Sequence, residues 1–231
     1  MLYIFLSHYD NYDENVAKIK SLNENYVQQV YVEEYLQNPF KMNKTDIVYI
    51  LNNSNYNIKL LELLDSVCYI INKNFYLKKY DKNAIQNILM NANIQVPKLL
   101  SFDDINKRSF PLMCKSKNHA DFVIAMYTFG TYNNFFTKYV KNDFYLEQKI
   151  NFTKEIKVYY VKDKTFMYEN QNDYSNFKEI SNICGKISKA LDLQVFSADI
   201  LICENEIYVI DVNPAAGLFN STDSRKKLVE W

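Results

Sequence analysis

Along residues 1–71, short apolar runs alternate with stretches whose apolar residues recur at helical spacing. LYIFLSH, at positions 2–8, is apolar and aromatic and reads as a strand. DENVAKIKSLNENY puts Val16, Ile19 and Leu22 on one helical face, with Asp13 as its N-cap. QQVYVEEY and DIVYILN read as two further strands, NIKLLELLDS as a helix, and VCYIIN as a fourth strand. Strand–helix alternation of this kind predicts a small parallel sheet covered by helices. The segment is roughly half a usual domain and leans on the rest of the chain.

NFYLKKYDKNAIQNILMNANIQVPKLL then reads as one long helix ended by Asn91 and Asn93, with an extended stretch through Pro97. From Phe110 the pattern changes. FPLMCKS, DFVIAMYTF, FYLEQKI, EIKVYYVKD and KTFMYEN are strand-like, and TYNNFFTKYV is a helix between the second and third. That predicts an α+β region built on antiparallel hairpins. NFKEISNICGKISKALDL is an amphipathic helix with Ile180, Ile183, Ile187 and Leu191 on one face. A hairpin and the short polar helix STDSRKKLVEW end the chain.

That last hairpin, SADILICENEIYVIDVNPAAG, sets Asp199, Asp211 and Asn213 inside apolar runs. Residues two apart on a strand share a face, so Asp211 and Asn213 point the same way. With the turn centred on Asn205 and closed by Glu204 and Glu206, Asp199 falls opposite Asp211. Two carboxylates and an amide oxygen on one face suit Mg²⁺, which takes oxygen ligands and keeps positions for water and phosphate. The alternative is an exposed hairpin with solvated acids, and a one-residue slip would put Asp199 on the other face. Lys115 closes the apolar run FPLMC and reads as an inward-pointing charge or an edge lysine. Lys82, in KYDKNAIQ, also fits a solvated helix face.

Composition narrows this picture in a few places. Of the 231 residues 48% are hydrophobic, enough for a sizeable core. Lys+Arg and Asp+Glu both number 27, so net charge argues for neither a nucleic-acid nor a membrane partner. No apolar stretch approaches a transmembrane helix, and the start MLYIFLSHYD reads as a strand, not a signal peptide. Cys68, Cys114, Cys184 and Cys203 have no C-x-x-C spacing and read as reduced thiols of a cytoplasmic protein. With only His8 and His119, a histidine-based metal cluster is not expected. Gly 3 and Pro 4 are low counts and leave few flexible linkers.

The order YDKNAIQNILMNANIQVPK, FPLMCK, FYLEQKI, EIKVYYV, then SADILI…IYVIDVNPAAG resembles the ATP-grasp superfamily, from about Asn72 to Gly217. The resemblance implies an α/β fold, α+β in its C-terminal part. It divides the chain into an N-terminal αβ domain at 1–71 and an ATP-grasp domain at 72–231, with a lid-like subdomain at about 108–150. It implies ATP and Mg²⁺ as cofactors, with Lys82, Lys115 and Lys117 on the phosphates and Glu147, Gln148 and Ile150 as the adenine hinge. Asp199, Asp211 and Asn213 would hold the metal, and Lys157 would stand near the γ-phosphate. DVNPAAG resembles the E-V-N-x-x-P-G of the glutathione-synthetase and RimK-like branch. That branch implies a ligase joining a carboxylate to an amine through an acyl phosphate, with Lys157 and Arg225 as its catalytic residues and Arg225 lining the acceptor pocket. Its substrate would be a small molecule or peptide, with no nucleic acid or membrane partner, and the assembly admits a homodimer.

Three departures from the family pattern keep other readings open. KSKNHADF replaces a glycine-rich phosphate loop, Lys157 stands where ligases commonly have Arg, and Asp211 replaces Glu. An NH after FPLMCK, with Lys157, also resembles the inositol-trisphosphate kinase branch, in which Lys117, His119, Lys157 and Lys162 would gather round a phosphate. A degenerate nucleotide-binding domain without catalysis is the third reading.

Overall fold

The structure, a computed structural model, describes residues 1–9, 12–51, 56–117, 122–167, 177–204, 206–218 and 221–231. His119 and the turn centre Asn205 lie outside the described residues.

The chain opens with β1 (Leu2–Leu6), α1 (Asp13–Lys20), β2 (Val27–Tyr31), α2 (Val32–Gln37), β3 (Ile47–Ile50), α3 (Tyr56–Leu64), β4 (Tyr69–Ile70) and α4 (Lys73–Lys78). The four strands form a parallel sheet in the order β2-β1-β3-β4, with Leu2 opposite both Val27 and Ile47. This is the sheet the alternation predicts. β1 is buried along its whole length because both its faces are covered. Leu2, Ile4 and Leu6 face α1 residues Val16 and Ile19 in one cluster; Tyr3 and Phe5 meet Val32, Tyr35, Leu60 and Leu61 in another.

Two local readings change here. The strand QQVYVEEY ends at Tyr31, and VEEYLQ is helical. Val32 and Tyr35 are the buried residues of α2, and their spacing of three is helical, not alternating. Asp13 is the first residue of α1 and not its cap; Tyr12 holds the N-cap position without a side-chain bond, and Leu22 lies beyond the helix and is exposed.

Next come α5 (Lys82–Asn91), β5 (Leu99–Leu100), β6 (Leu112–Ser116), β7 (Val123–Met126), α6 (Phe129–Phe136) and β8 (Phe144–Gln148). The expected single long helix is thus two, α4 and α5. Lys79 is left-handed (φ 50°), and Asp81 then caps α5, its carboxylate accepting from the Ala84 N–H at 2.6 Å. The four strands form an antiparallel sheet in the order β5-β8-β6-β7. Leu112, Cys114, Phe144 and Leu146 project from one face onto Met126 and Tyr132 of the local core. Met113, Lys115, Tyr145 and Glu147 therefore share the opposite face.

The remainder is β9 (Lys154–Val161), β10 (Lys164–Met167), α7 (Phe177–Leu191), β11 (Val195–Cys203), β12 (Glu206–Asn213) and α8 (Thr222–Val229). The strands order as β10-β9-β11-β12. α7 buries Ile180, Cys184, Ile187 and Leu191, so Cys184 takes the core position expected of Ile183. All four cysteines are free thiols. No described helix is long and apolar enough to cross a membrane.

The chain divides into two compact units. Unit 1 comprises Met1–Lys79, Ile156–Asp199 and Val212–Trp231; unit 2 comprises Tyr80–Glu155 and Ile200–Asp211. In unit 1 the side chain of Asn72, fully buried and left-handed at φ 60°, binds two segments. Its Oδ1 accepts from the N–H groups of Gln194 (2.7 Å) and Val195 (3.0 Å), and its Nδ2 donates to the carbonyls of Val195 (2.5 Å) and Pro214 (3.0 Å).

Asn72→Ala should cost about 3–5 kcal/mol, because several buried backbone groups lose partners worth roughly 1–3 kcal/mol each. Asn72→Gly, which keeps the left-handed backbone, should lose nearly as much. Urea unfolding of both variants checks this; near-wild-type stability of the glycine variant would show that φ, not bonding, is the constraint.

Candidate functional site

α5 presents Lys82 and Gln86 on one face, four residues apart. The Lys82 ammonium lies 3.3 Å from both carboxylate oxygens of Asp211. Gln86, 2% exposed, donates to the carbonyl of Ile210 at 3.2 Å. The same carbonyl accepts from the Lys115 ammonium at 3.0 Å. Lys115 reaches Glu147 Oε1 at 2.5 Å, the two side chains being 10% and 2% exposed. Strand pairing makes this contact: Met113 is opposite Glu147 and Lys115 opposite Tyr145, so the lysine and glutamate are diagonal neighbours on one face. Two lysines and two carboxylates thus form a neutral set within unit 2, its Lys115–Glu147 pair buried and its Lys82–Asp211 pair partly exposed.

Glu147 is the strained member. Its Oε2 is buried and has no hydrogen-bond partner. Burial pushes its carboxyl above the ordinary value of 4.5; attraction to Lys115 opposes the push and is outweighed. Asp211 adds to the rise by like-charge repulsion. A donor from a ligand would satisfy the orphan oxygen and relieve part of this cost.

The rest of the expected hinge continues from Glu147. The Gln148 side chain is exposed while its N–H donates to the Lys98 carbonyl at 2.9 Å, and Ile150 is half-buried. The Lys117 carbonyl accepts from the N–H of Lys82 at 3.1 Å, and its own N–H donates to the Asp143 carbonyl at 2.9 Å. Its side chain borders a separate depression of about 430 Å³ with Lys141 and Asn142.

In unit 1, Lys157 pairs with Asp199 at 3.0 Å, both side chains being partly exposed. Asn213 Oδ1 accepts from the Ala215 N–H at 3.0 Å, opening the turn NPAAG. That turn is held by its carbonyls. Pro214 O accepts from Asn72, Ala216 O from the Tyr49 hydroxyl at 2.6 Å, and Leu218 O from Arg225 at 2.9 Å. Arg225 is buried in α8 and also donates to Thr222 Oγ1 at 3.0 Å, so these contacts make it a support of the turn. Lys162 extends over the Trp231 ring, 5.1 Å from its centroid.

Sequence reasoning misses Gln86 and Asn72. The i, i+4 spacing of Lys82 and Gln86 is the available signal for the first; an Asn ending an apolar strand gives little for the second. Asp199, Asp211 and Asn213 offer oxygen donors only, which fits Mg²⁺. Among the described residues no three His, Cys, Asp or Glu side chains gather as a metal-binding group. Each carboxylate of the expected set instead has a lysine as counter-ion.

No protein-family model and no curated protein matches the chain. Solved structures do match, over nearly its full length. The RimK-domain ATP-grasp protein from Sphaerobacter thermophilus is similar with TM-score 0.71 at 14% identity, covering 99% of this chain and 96% of that one. D-alanine–D-alanine ligase from Bacillus anthracis, complexed with ATP, gives 0.68 at 16%, covering 94% and 87%. The ATP-grasp ligase PsnB, complexed with minimal precursor, Mg and ADP, gives 0.66 at 11%, covering 93% and 89%. The chain has the ATP-grasp fold.

The raised pKa of Glu147 has a defined sign in stability. The folded chain keeps this proton to higher pH than the unfolded chain, so the group's contribution is full below about pH 4.5 and declines as pH rises through the raised value. The stability of wild type relative to Glu147→Gln should therefore fall as pH rises above about 4.5. Urea midpoints of both proteins across that range measure it, and a parallel pair of curves would refute the assignment.

Proposed function

We propose that the chain is an ATP-dependent ligase that joins a carboxylate to an amine, releasing ADP and phosphate. The observation that carries this is the neutral set Lys82–Asp211 and Lys115–Glu147 with its orphan buried oxygen. The buried Lys115 and the partly buried Lys82 can donate to phosphate oxygens, and Glu147 Oε2 can take a donor such as an adenine amino group. On this reading Lys82, Lys115 and Lys117 hold the phosphates, and Glu147, Gln148 and Ile150 border the base. Asp199, Asp211 and Asn213 would hold Mg²⁺, which neutralises charge on the transferred phosphoryl group when bound.

A substrate carboxylate oxygen attacks the γ-phosphorus, the bond to ADP breaks, and an acyl phosphate results. An amine then attacks the acyl carbon, loses a proton, and phosphate leaves. Lys157 contributes positive charge near the reacting phosphoryl group. Arg225 acts as a positioning residue through its bond to the Leu218 carbonyl. PsnB, complexed with its precursor, and D-alanine–D-alanine ligase are proteins of this fold named as ligases, which supports a peptide or small-molecule acceptor. A kinase reading needs Lys117, His119, Lys157 and Lys162 together; the stacking of Lys162 on Trp231 disfavours it.

Mg-ATP at about a hundred times its Kd adds roughly 2.7 kcal/mol to stability. For a chain of this size that raises Tm by about 5–10 °C. Asp211→Asn should abolish most of the shift and lower substrate-dependent ADP release by at least about a hundredfold, or ~2.7 kcal/mol in activation free energy. An unchanged shift and turnover in the variant would remove Asp211 from the site.

A further inference from the structure

Three side chains of unit 2 hold the stretch Ile210–Asp211. Lys82 reaches the Asp211 carboxylate at 3.3 Å, and Lys115 donates to the Ile210 carbonyl at 3.0 Å. Gln86 donates to the same carbonyl at 3.2 Å through Nε2. That carbonyl and the Asp211 nitrogen belong to one planar peptide unit, so whatever fixes the carbonyl fixes where the Asp211 side chain starts. Of the three donors Gln86 alone is neutral, and it is more deeply buried than Lys115, 2% exposed against 8%.

Packing does not account for this residue. α5 also buries Ile85 and Leu89, and an apolar side chain of similar length at position 86 would leave no polar atom unmet. Gln86 instead carries a buried Oε1 with no hydrogen-bond partner. The carbonyl sets the orientation of the amide, because exchanging Oε1 and Nε2 would bring two oxygens together and lose the bond. The orphan oxygen is thus the consequence of keeping a neutral donor on Ile210.

A neutral donor differs from a charged one once a polyanion arrives. On the ligase reading the phosphates draw on Lys82 and Lys115, while Mg²⁺ takes the Asp211 carboxylate from Lys82. Both cationic restraints on the stretch then compete with phosphate. The Gln86 amide has no net charge to be drawn, so its bond to Ile210 persists. We propose that Gln86 is a positioning residue. It holds the Ile210 carbonyl, and through it the Asp211 carboxylate, in the place where Mg²⁺ binds while the lysines turn to the phosphates. The proposal rests on the ligase reading through the assignment of Asp211 to Mg²⁺ and of the two lysines to phosphate.

Thermal unfolding of the full chain at saturating ATP, first in EDTA and then across a Mg²⁺ titration, tests it with Gln86→Met and Gln86→Leu. The Ile210 carbonyl keeps its Lys115 donor in both variants, so their Tm without ligand should stay within about 3 °C of wild type. Whatever shift ATP gives in EDTA should also be the same. The Mg²⁺ concentration at half the full shift should rise about tenfold, equivalent to ~1.4 kcal/mol. A purely structural role predicts otherwise: both variants would melt lower without ligand, or lose ATP equally with and without Mg²⁺. Either result overturns the proposal, as does an unchanged Mg²⁺ midpoint in both variants. A wild-type chain with no Mg²⁺-dependent shift would remove the metal assignment and this proposal together, whereas an intact wild-type shift that both variants share would remove Gln86 alone.

Discussion

Asn72 is the constraint on which unit 1 depends. One buried amide, at the end of the fourth parallel strand, fills the hydrogen-bonding needs of β11 and of the NPAAG turn, segments more than a hundred residues away in sequence. A buried backbone group without a partner costs more than most side-chain contacts return, so these groups fix where the turn can lie. The turn then sets Asn213, whose Oδ1 is already shared with Ala215. Tyr49 and Arg225 hold the later carbonyls of the same turn from β3 and α8. The candidate metal ligand at Asn213 thus inherits its position from the parallel sheet, not from its own hairpin.

Charge balance is the second organising constraint. Every carboxylate expected to hold metal has a lysine beside it, and the most buried acid has one too. This explains how a chain keeps acids in apolar strands without unfolding, since an unpaired charge there would be far costlier than the pair. It also prepares an exchange. A polyanion takes up the lysines while a cation takes up the carboxylates, so neither binding event strands a buried charge on this reading.

The elements are largely legible in the sequence, because hydrophobic period carries through burial. β1, β3, β6, β8 and the final hairpin fall where apolar runs end in polar turns, and α7 follows its apolar face. The pattern misleads where a local bond or a direct junction overrides the period. VEEYLQ reads as strand because it continues one without a break, although Val32 and Tyr35 have helical spacing. The break between α4 and α5 is made by a left-handed Lys79 and the Asp81 cap, and lysine carries no general signal for that conformation. Of the site, the residue types on Lys82, Lys115, Glu147 and Asp211 are legible through motif order. Their pairing is not, because which lysine meets which carboxylate depends on β6–β8 register and on the side of α5 turned toward Ile210.

The shortage of glycine bears on the fold and the site alike. With 3 glycines in the chain, left-handed positions fall to Asn72, Asn93, Asp163 and Asp192, and even to Lys79, Lys162, Glu204 and Leu218. Asn and Asp tolerate that region because their short side chains bond locally; the others are held there by their surroundings. The same scarcity bears on phosphate recognition. A glycine-rich loop lets backbone N–H groups approach phosphate oxygens closely, and KSKNHADF contains no glycine. Recognition on the proposed reading then rests on lysine ammonium groups, point charges without the fixed geometry of an N–H cradle. On that reading the burial of Lys115, and in part of Lys82, strengthens such contacts.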